Sequence, residues 1–326
     1  MCRAPLAAVL AAVLAGGVLT GCSARDAGQA GPTATPAPTT RPSSARTPPP
    51  ADRTAPATAL AVGTRRLALT RGADRPLPVT IWYPARGAAG DEPRAGAPVA
   101  AGRFPVALFS HGLHGRPEDY APLLARWAAA GFVVAAPAYP HTARDVARFE
   151  VFDVVNQPAD AAHVLTAVLG LDKAARDPLR GHLDTERVAA AGHSAGGITT
   201  VGLFTAARDP RLDAGIVLAG SALGVGTAFS GAAAPQLFVH GERDDVVSHA
   251  AGRAAYDAVP WPKAMLSLPG ADHGGSLLRS DNPLFTVVAD TTVEFLRWTL
   301  YGDRAAKRRL PAAATRGGLG VLENRL

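Results

Sequence analysis

Val188-Ala189-Ala190-Ala191-Gly192-His193-Ser194-Ala195-Gly196-Gly197 is an apolar run that stops at a serine set among small residues. Glu186-Arg187 leads into it, and Ile198 to Ala207 reads as a helix. Gly192, Ser194 and Gly196 hold the three fixed places of G-x-S-x-G, the pattern of a nucleophile elbow. A serine on a sharp strand-to-helix turn stands its hydroxyl clear of the backbone. Side chains two residues to either side would collide at such a turn, so those places need glycine. By itself the pattern also describes a Gly-rich turn with a solvent serine. The strand before it and the helix after it favour the elbow.

Outward from the elbow, short apolar strands alternate with helices about a dozen residues long. Val62 to Leu69 and Pro78 to Tyr83 read as an opening hairpin, and 84–103 as a surface excursion. Phe104 to Ser110 is a buried strand, followed by His111-Gly112-Leu113-His114-Gly115 and a helix from Asp119 to Ala130. Phe132 to Ala136, Leu212 to Leu218, Pro235 to His240 and Lys263 to Leu268 are further strands. Ala159 to Leu171, Ser248 to Asp257 and Pro283 to Leu300 are further helices, while 143–156 shows no clear period. The pattern predicts an α/β fold with a mostly parallel sheet, helices on both faces and no large lid. Such sheets carry function at the carboxyl ends of their strands. The loops at His111, His141, Ser194, Asp244 and His273 all follow strands and should share one edge.

The ends read differently. Residues 1–22 pair a thin positive start at Arg3 with an apolar stretch from Leu6 to Leu19, too short to span a bilayer as a mature helix. They close on Leu19-Thr20-Gly21-Cys22, which resembles a bacterial lipobox. That resemblance implies cleavage before Cys22, lipid attachment there, and an exported protein held on the outer face of the cell membrane, the alternative being simple secretion. Residues 23–58 are rich in Pro, Thr, Ala and Ser, a tether without enough apolar surface to fold. The catalytic body is read as 59–302 and the basic stretch 303–326 as a tail.

The net charge of +6 does not indicate nucleic acid. Its basic excess sits in the two ends, and the body is close to neutral, so charge steering by the body is not expected. The two cysteines, Cys2 and Cys22, both precede the body, which therefore has no disulfide framework. Oligomeric state is not readable.

A serine hydroxyl needs a base to take its proton. Nine histidines are present. His111 and His193 adjoin glycines in the two turns and read as supporting residues. His163 and His182 lie away from strand ends, His240 ends a strand ahead of the acid, and His249 opens a helix. His273 remains, in a loop after the last strand and before Gly274-Gly275. The acid that orients it is read as Asp244, with Asp245 the runner-up. The order Ser194, Asp244, His273 is that of α/β-hydrolases. The oxyanion donors would be the amides of Ala195 and Leu113. His114 and His141 are candidates for the substrate cleft.

Val79-Thr80-Ile81-Trp82-Tyr83-Pro84, Phe109 to Leu113, Gly192 to Gly197, Gly241 to Asp244 and Asp272-His273-Gly274 together resemble the α/β-hydrolases. The nearer likeness is to the dienelactone-hydrolase, platelet-activating-factor-acetylhydrolase and cutinase-like esterases. The resemblance implies an esterase that needs no metal or organic cofactor and acts on small-molecule or lipid esters. The body lacks the cysteines for the C-terminal disulfide of polyester-degrading cutinases, and its nucleophile is not a cysteine as in dienelactone hydrolase. Short to medium acyl esters are the expected substrates. A lipase or phospholipid acetylhydrolase, an amide hydrolase on the same triad, and a non-catalytic binding lipoprotein are the alternatives.

Overall fold

The computed structural model describes residues 54–90 and 92–326. The expected signal segment, the lipidation residue Cys22 and nearly all of the tether lie outside the described residues. Among those described, no helix is long and apolar enough to cross a membrane.

The opening hairpin is β1 (Ala61–Arg71) and β2 (Arg75–Ala85), paired antiparallel from Ala61↔Ala85 to Arg71↔Arg75. The excursion after it contains a short β3 (Pro93–Ala95), which runs parallel to β1. Then come β4 (Phe104–Ser110), a 3₁₀ turn over Pro117–Tyr120, α1 (Ala121–Ala129) and β5 (Val133–Pro137). A 3₁₀ turn at Val151–Asn156 leads into α2 (Gln157–Gly170). The elbow strand is β6 (Leu183–His193), and the elbow helix is α3 (Ala195–Gly202). After these follow β7 (Leu212–Leu218), β8 (Gln236–Gly241), α4 (His249–Ala258), β9 (Lys263–Leu268), the short α5 (Gly275–Leu278) and α6 (Pro283–Leu296). The chain closes with α7 (Arg304–Ala314) and β10 (Val321–Arg325).

One ten-stranded sheet results, in the order β10-β9-β8-β7-β6-β4-β5-β2-β1-β3. The strands from β9 through β5 are parallel, and the outer pairings β9–β10 and β5–β2 are antiparallel. The parallel strands are apolar on both faces. In β4, Ala107 and Phe109 join one core, while Val106 and Leu108 join the other. In β6, Ala189 and Ala191 divide from Val188 and Ala190 in the same way. A strand buried on both sides has no polar alternation, which is why these read as continuous apolar runs. From β4 the chain moves to β5 on one side and to β6 on the other. That reversal opens a crevice at the carboxyl ends of β4 and β6, where ligands bind in such sheets.

Two boundaries are corrected. The stretch 303–326 is not a tail. Asp303 caps α7 by accepting from the amides of Ala305 and Ala306, and β10 pairs antiparallel with β9. Arg308 and Arg309 are exposed on α7 and Lys307 lies over the Trp298 ring, while the stripe Ala306, Leu310 and Ala314 is buried. The run of charge concealed an amphipathic helix with its apolar positions four apart. The body also begins before 59: the Pro56 carbonyl accepts from Arg297 at 3.0 Å, and Ala55 packs against the core.

Candidate active site

The elbow is built by steric necessity. Ser194 sits at φ 57° and ψ −118°, a left-handed conformation costly for a residue with a Cβ. A Cβ on Gly192 would collide with the Gly196 carbonyl, and one on Gly196 with the Ser110 carbonyl. The turn is held by the Ser194 amide, which donates to the Leu218 carbonyl at 2.9 Å. It stands the serine at the carboxyl end of β6, beside the turn that follows β4.

The loops after β8 and β9 are fastened to each other. The amide of Glu242 donates to Leu268 and that of Arg243 to Ala271, both at 3.0 Å. Gly241 lies so close to the Ala271 and Asp272 carbonyls that no side chain fits there. Asp272 accepts from the amides of Gly274 at 3.2 Å and Gly275 at 2.7 Å, turning the chain at His273. As a result His273 Nδ1 lies 2.7 Å from Asp244 Oδ2, and its Nε2 lies 2.8 Å from Ser194 Oγ. The carboxylate only accepts, so Nδ1 carries the proton, and Nε2 offers its lone pair to the serine hydroxyl. Asp244 is buried, whereas Asp245 is exposed on the same turn.

Gly112 packs against the serine. A Cβ there would lie 3.2 Å from the Ser194 Cβ. Leu113 is next in the chain. Its amide and that of Ala195, at the first position of α3, donate no hydrogen bond among the described residues. Uncommitted amides beside the serine are what an oxyanion site requires.

Residues 93–229 match the family model described as Chlorophyllase. The matched stretch includes the turn at Gly112 and the whole elbow, and it ends before Asp244. The chain carries an α/β-hydrolase fold. No curated protein matches it.

In this hydrolase fold the acid is more fully held than the triad pattern requires. Asp244 Oδ1 accepts from the amides of Val246 at 2.9 Å and Val247 at 2.8 Å. Its Oδ2 also faces His240 Nε2 at 3.3 Å, and that nitrogen lies 2.8 Å from the Val247 carbonyl. Burial opposes the carboxylate's charge, but the hydrogen bonds from His240 and His273 outweigh it, and the carboxyl is held well below its usual range. His240 was set aside in the sequence because it comes before the acid. The tight turn brings it back beneath Asp244, and a histidine four residues ahead of a turn aspartate was the available signal.

The remaining histidines sort by their contacts. His111 is buried behind the turn. Its Nδ1 lies 2.7 Å from the Gly112 carbonyl, and its Nε2 accepts from the Tyr139 amide at 3.1 Å. Burial lowers it to about 4, so it stays neutral. His193 is buried between the turn and His273. His114 is exposed next to Leu113, at φ 54°, and stacks on Phe149 with ring centroids 3.8 Å apart. His141 lines a cleft of about 360 Å³ with Asp74, Pro76, Arg116 and Arg148, and none of Ser194, Asp244 or His273 borders that cleft. Among the described residues, no group of three or more His, Cys, Asp or Glu side chains is arranged to hold a metal ion.

Proposed function

We propose that this chain is a serine carboxylic ester hydrolase working through Ser194, His273 and Asp244. The observation that carries the reading is the unbroken contact Asp244 Oδ2–His273–Ser194 Oγ, at 2.7 and 2.8 Å, on a strained elbow. Ser194 Oγ attacks the ester carbonyl as its proton passes to His273 Nε2. Asp244 holds the ring and stabilises its charged form. The carbonyl oxygen, now an anion, is received by the amides of Leu113 and Ala195. Collapse expels the alcohol, which takes the proton from His273. Water then repeats the sequence on the acyl-enzyme and releases the acid.

The likeness to an esterase family over 93–229 supports ester rather than amide hydrolysis. The substrates proposed are short to medium acyl esters, because no large lid covers the site among the described residues. Cys22 is proposed as a lipid anchor that holds the enzyme on the outer face of the cell membrane.

Turnover of p-nitrophenyl acyl esters by the wild type and by Ser194→Ala tests the reading. Loss of a triad serine lowers kcat by about 10⁶. Equal rates in the two proteins would end it.

A further inference from the structure

We infer that His193 is a positioning residue that, through Tyr120, ties the oxyanion turn to the main chain of the base His273. This deepens the triad reading and rests on it. His193 is the residue before the nucleophile, and its two ring nitrogens face two different loops. Nε2 lies 2.7 Å from the carbonyl oxygen of His273. A carbonyl only accepts, so Nε2 carries the proton. Nδ1 lies 2.8 Å from the Tyr120 hydroxyl. Burial lowers His193 to about 3, so the ring is neutral and Nδ1 holds a lone pair. Tyr120 therefore donates to Nδ1, and its oxygen accepts the Gly112 amide at 3.0 Å.

The chain of bonds runs one way. The Gly112 N–H donates to Tyr120, the Tyr120 O–H to His193 Nδ1, and His193 Nε2–H to the His273 carbonyl. It joins the turn after β4, the residue beside the nucleophile, and the loop after β9. Gly112 immediately precedes Leu113, whose amide is the proposed oxyanion donor. His273 is the proposed base. The two groups that must stay aligned with Ser194 are thus braced against its neighbour. The fit is close: a Cβ on Gly112 would lie 3.2 Å from His193 Nδ1 and 3.3 Å from the Tyr120 oxygen. The His193 and His273 rings lie 4.8 Å apart. Misplacing a catalytic group by about 1 Å can cost on the order of 100-fold in rate.

His193→Leu, His193→Gln and Tyr120→Phe are compared with the wild type after each is shown to fold. Glutamine places an amide N–H near the Nε2 position and keeps the bond to His273. Leucine should lower kcat about 30-fold or more with KM changed less than about threefold, and glutamine should restore about tenfold of that loss. Tyr120→Phe should lower kcat about 3- to 10-fold. Folded variants that keep kcat within about twofold of wild type, move KM instead, or show no rescue by glutamine overturn the inference. Should the leucine variant fail to fold, Tyr120→Phe and His193→Gln decide by the same measure. A second readout needs no turnover. The ¹⁵N spectrum of the wild type at pH 5 should show His193 as the neutral Nε2–H tautomer. A protonated ring or an Nδ1–H tautomer overturns the inference even if the chain hydrolyses no ester, an outcome that would sink the esterase reading separately.

Discussion

Two buried carboxylate sites in this molecule are answered in opposite ways. At the edge of the first hairpin, Asp160 and Asp153 face guanidinium groups. Arg75 contacts Asp160 at 2.5 Å and Asp153 at 2.7 Å, and Arg71 contacts Asp160 at 2.6 Å. At the sheet's carboxyl edge, Asp244 faces two imidazoles and two backbone amides. Its bonds to Asp160 and Asp153 raise Arg75 above even the ordinary guanidinium value. That charge is permanent, so the first site pins the hairpin to α2 and the turn before it, and transfers no proton. An imidazole's charge is conditional. A carboxylate held ready beside one favours the moment at which the ring accepts a proton. Fixed charge serves structure here, and conditional charge suits the proton transfer proposed for the triad.

The sharpest way to break that contrast is Asp244→Asn. The amide keeps the size of the side chain but removes the charge and unsettles the tautomer of His273. Steady-state kinetics of the folded variant should show kcat lowered by about 10⁴. A large loss of stability with kcat retained would place Asp244 with the structural carboxylates.

The reciprocal change is Asp160→Asn. It leaves Arg75 and Arg71 without their shared partner in a buried setting. Urea unfolding should show a loss of about 3–5 kcal/mol, while kcat of the folded protein stays within about twofold. A stable variant with collapsed kcat would contradict the division of roles.

Acid titration sharpens the comparison at smaller scale. Both His111 and His193 are lowered from 6.5 by burial, to about 4 and about 3. Below about pH 6.5 the unfolded chain takes up protons that these folded rings refuse. Stability should therefore fall from that pH downward, by up to about 1.4 kcal/mol per pH unit for each ring. Asp244 adds its loss at lower pH, since its carboxyl lies below 3.8 and its contribution vanishes as pH drops through that lowered value. Above pH 6.5 the three should add no slope. Urea midpoints at pH 7 and pH 5 check this, and His193→Gln should remove about half of the difference. Equal stability of the wild type at the two pH values would refute the buried neutral histidines.

The sheet was legible because its strands are apolar on both faces and its helices are short and punctuated by glycine. Phe104 to Ser110, Leu212 to Leu218 and Lys263 to Leu268 are read from sequence with the bounds observed. The elbow was legible because sterics leave few residues able to occupy it. What escaped depends on folding-back. His240 meets Asp244 only through a tight turn, and Tyr120 meets His193 across 73 positions. The C-terminal helix was hidden because Lys307-Arg308-Arg309 dominates a stretch whose buried positions are mostly alanine. Alanine gives a weak periodic signal, since it buries little area per residue.

The central claim is that Ser194 is an activated nucleophile. The most direct measurement is mass spectrometry of the folded wild type after exposure to a fluorophosphonate, with Ser194→Ala alongside. The account predicts one phosphonyl group on the peptide containing Ser194, lost in the alanine variant and strongly slowed in His273→Ala. An unlabelled wild type, or a label on another residue that persists in Ser194→Ala, would contradict it.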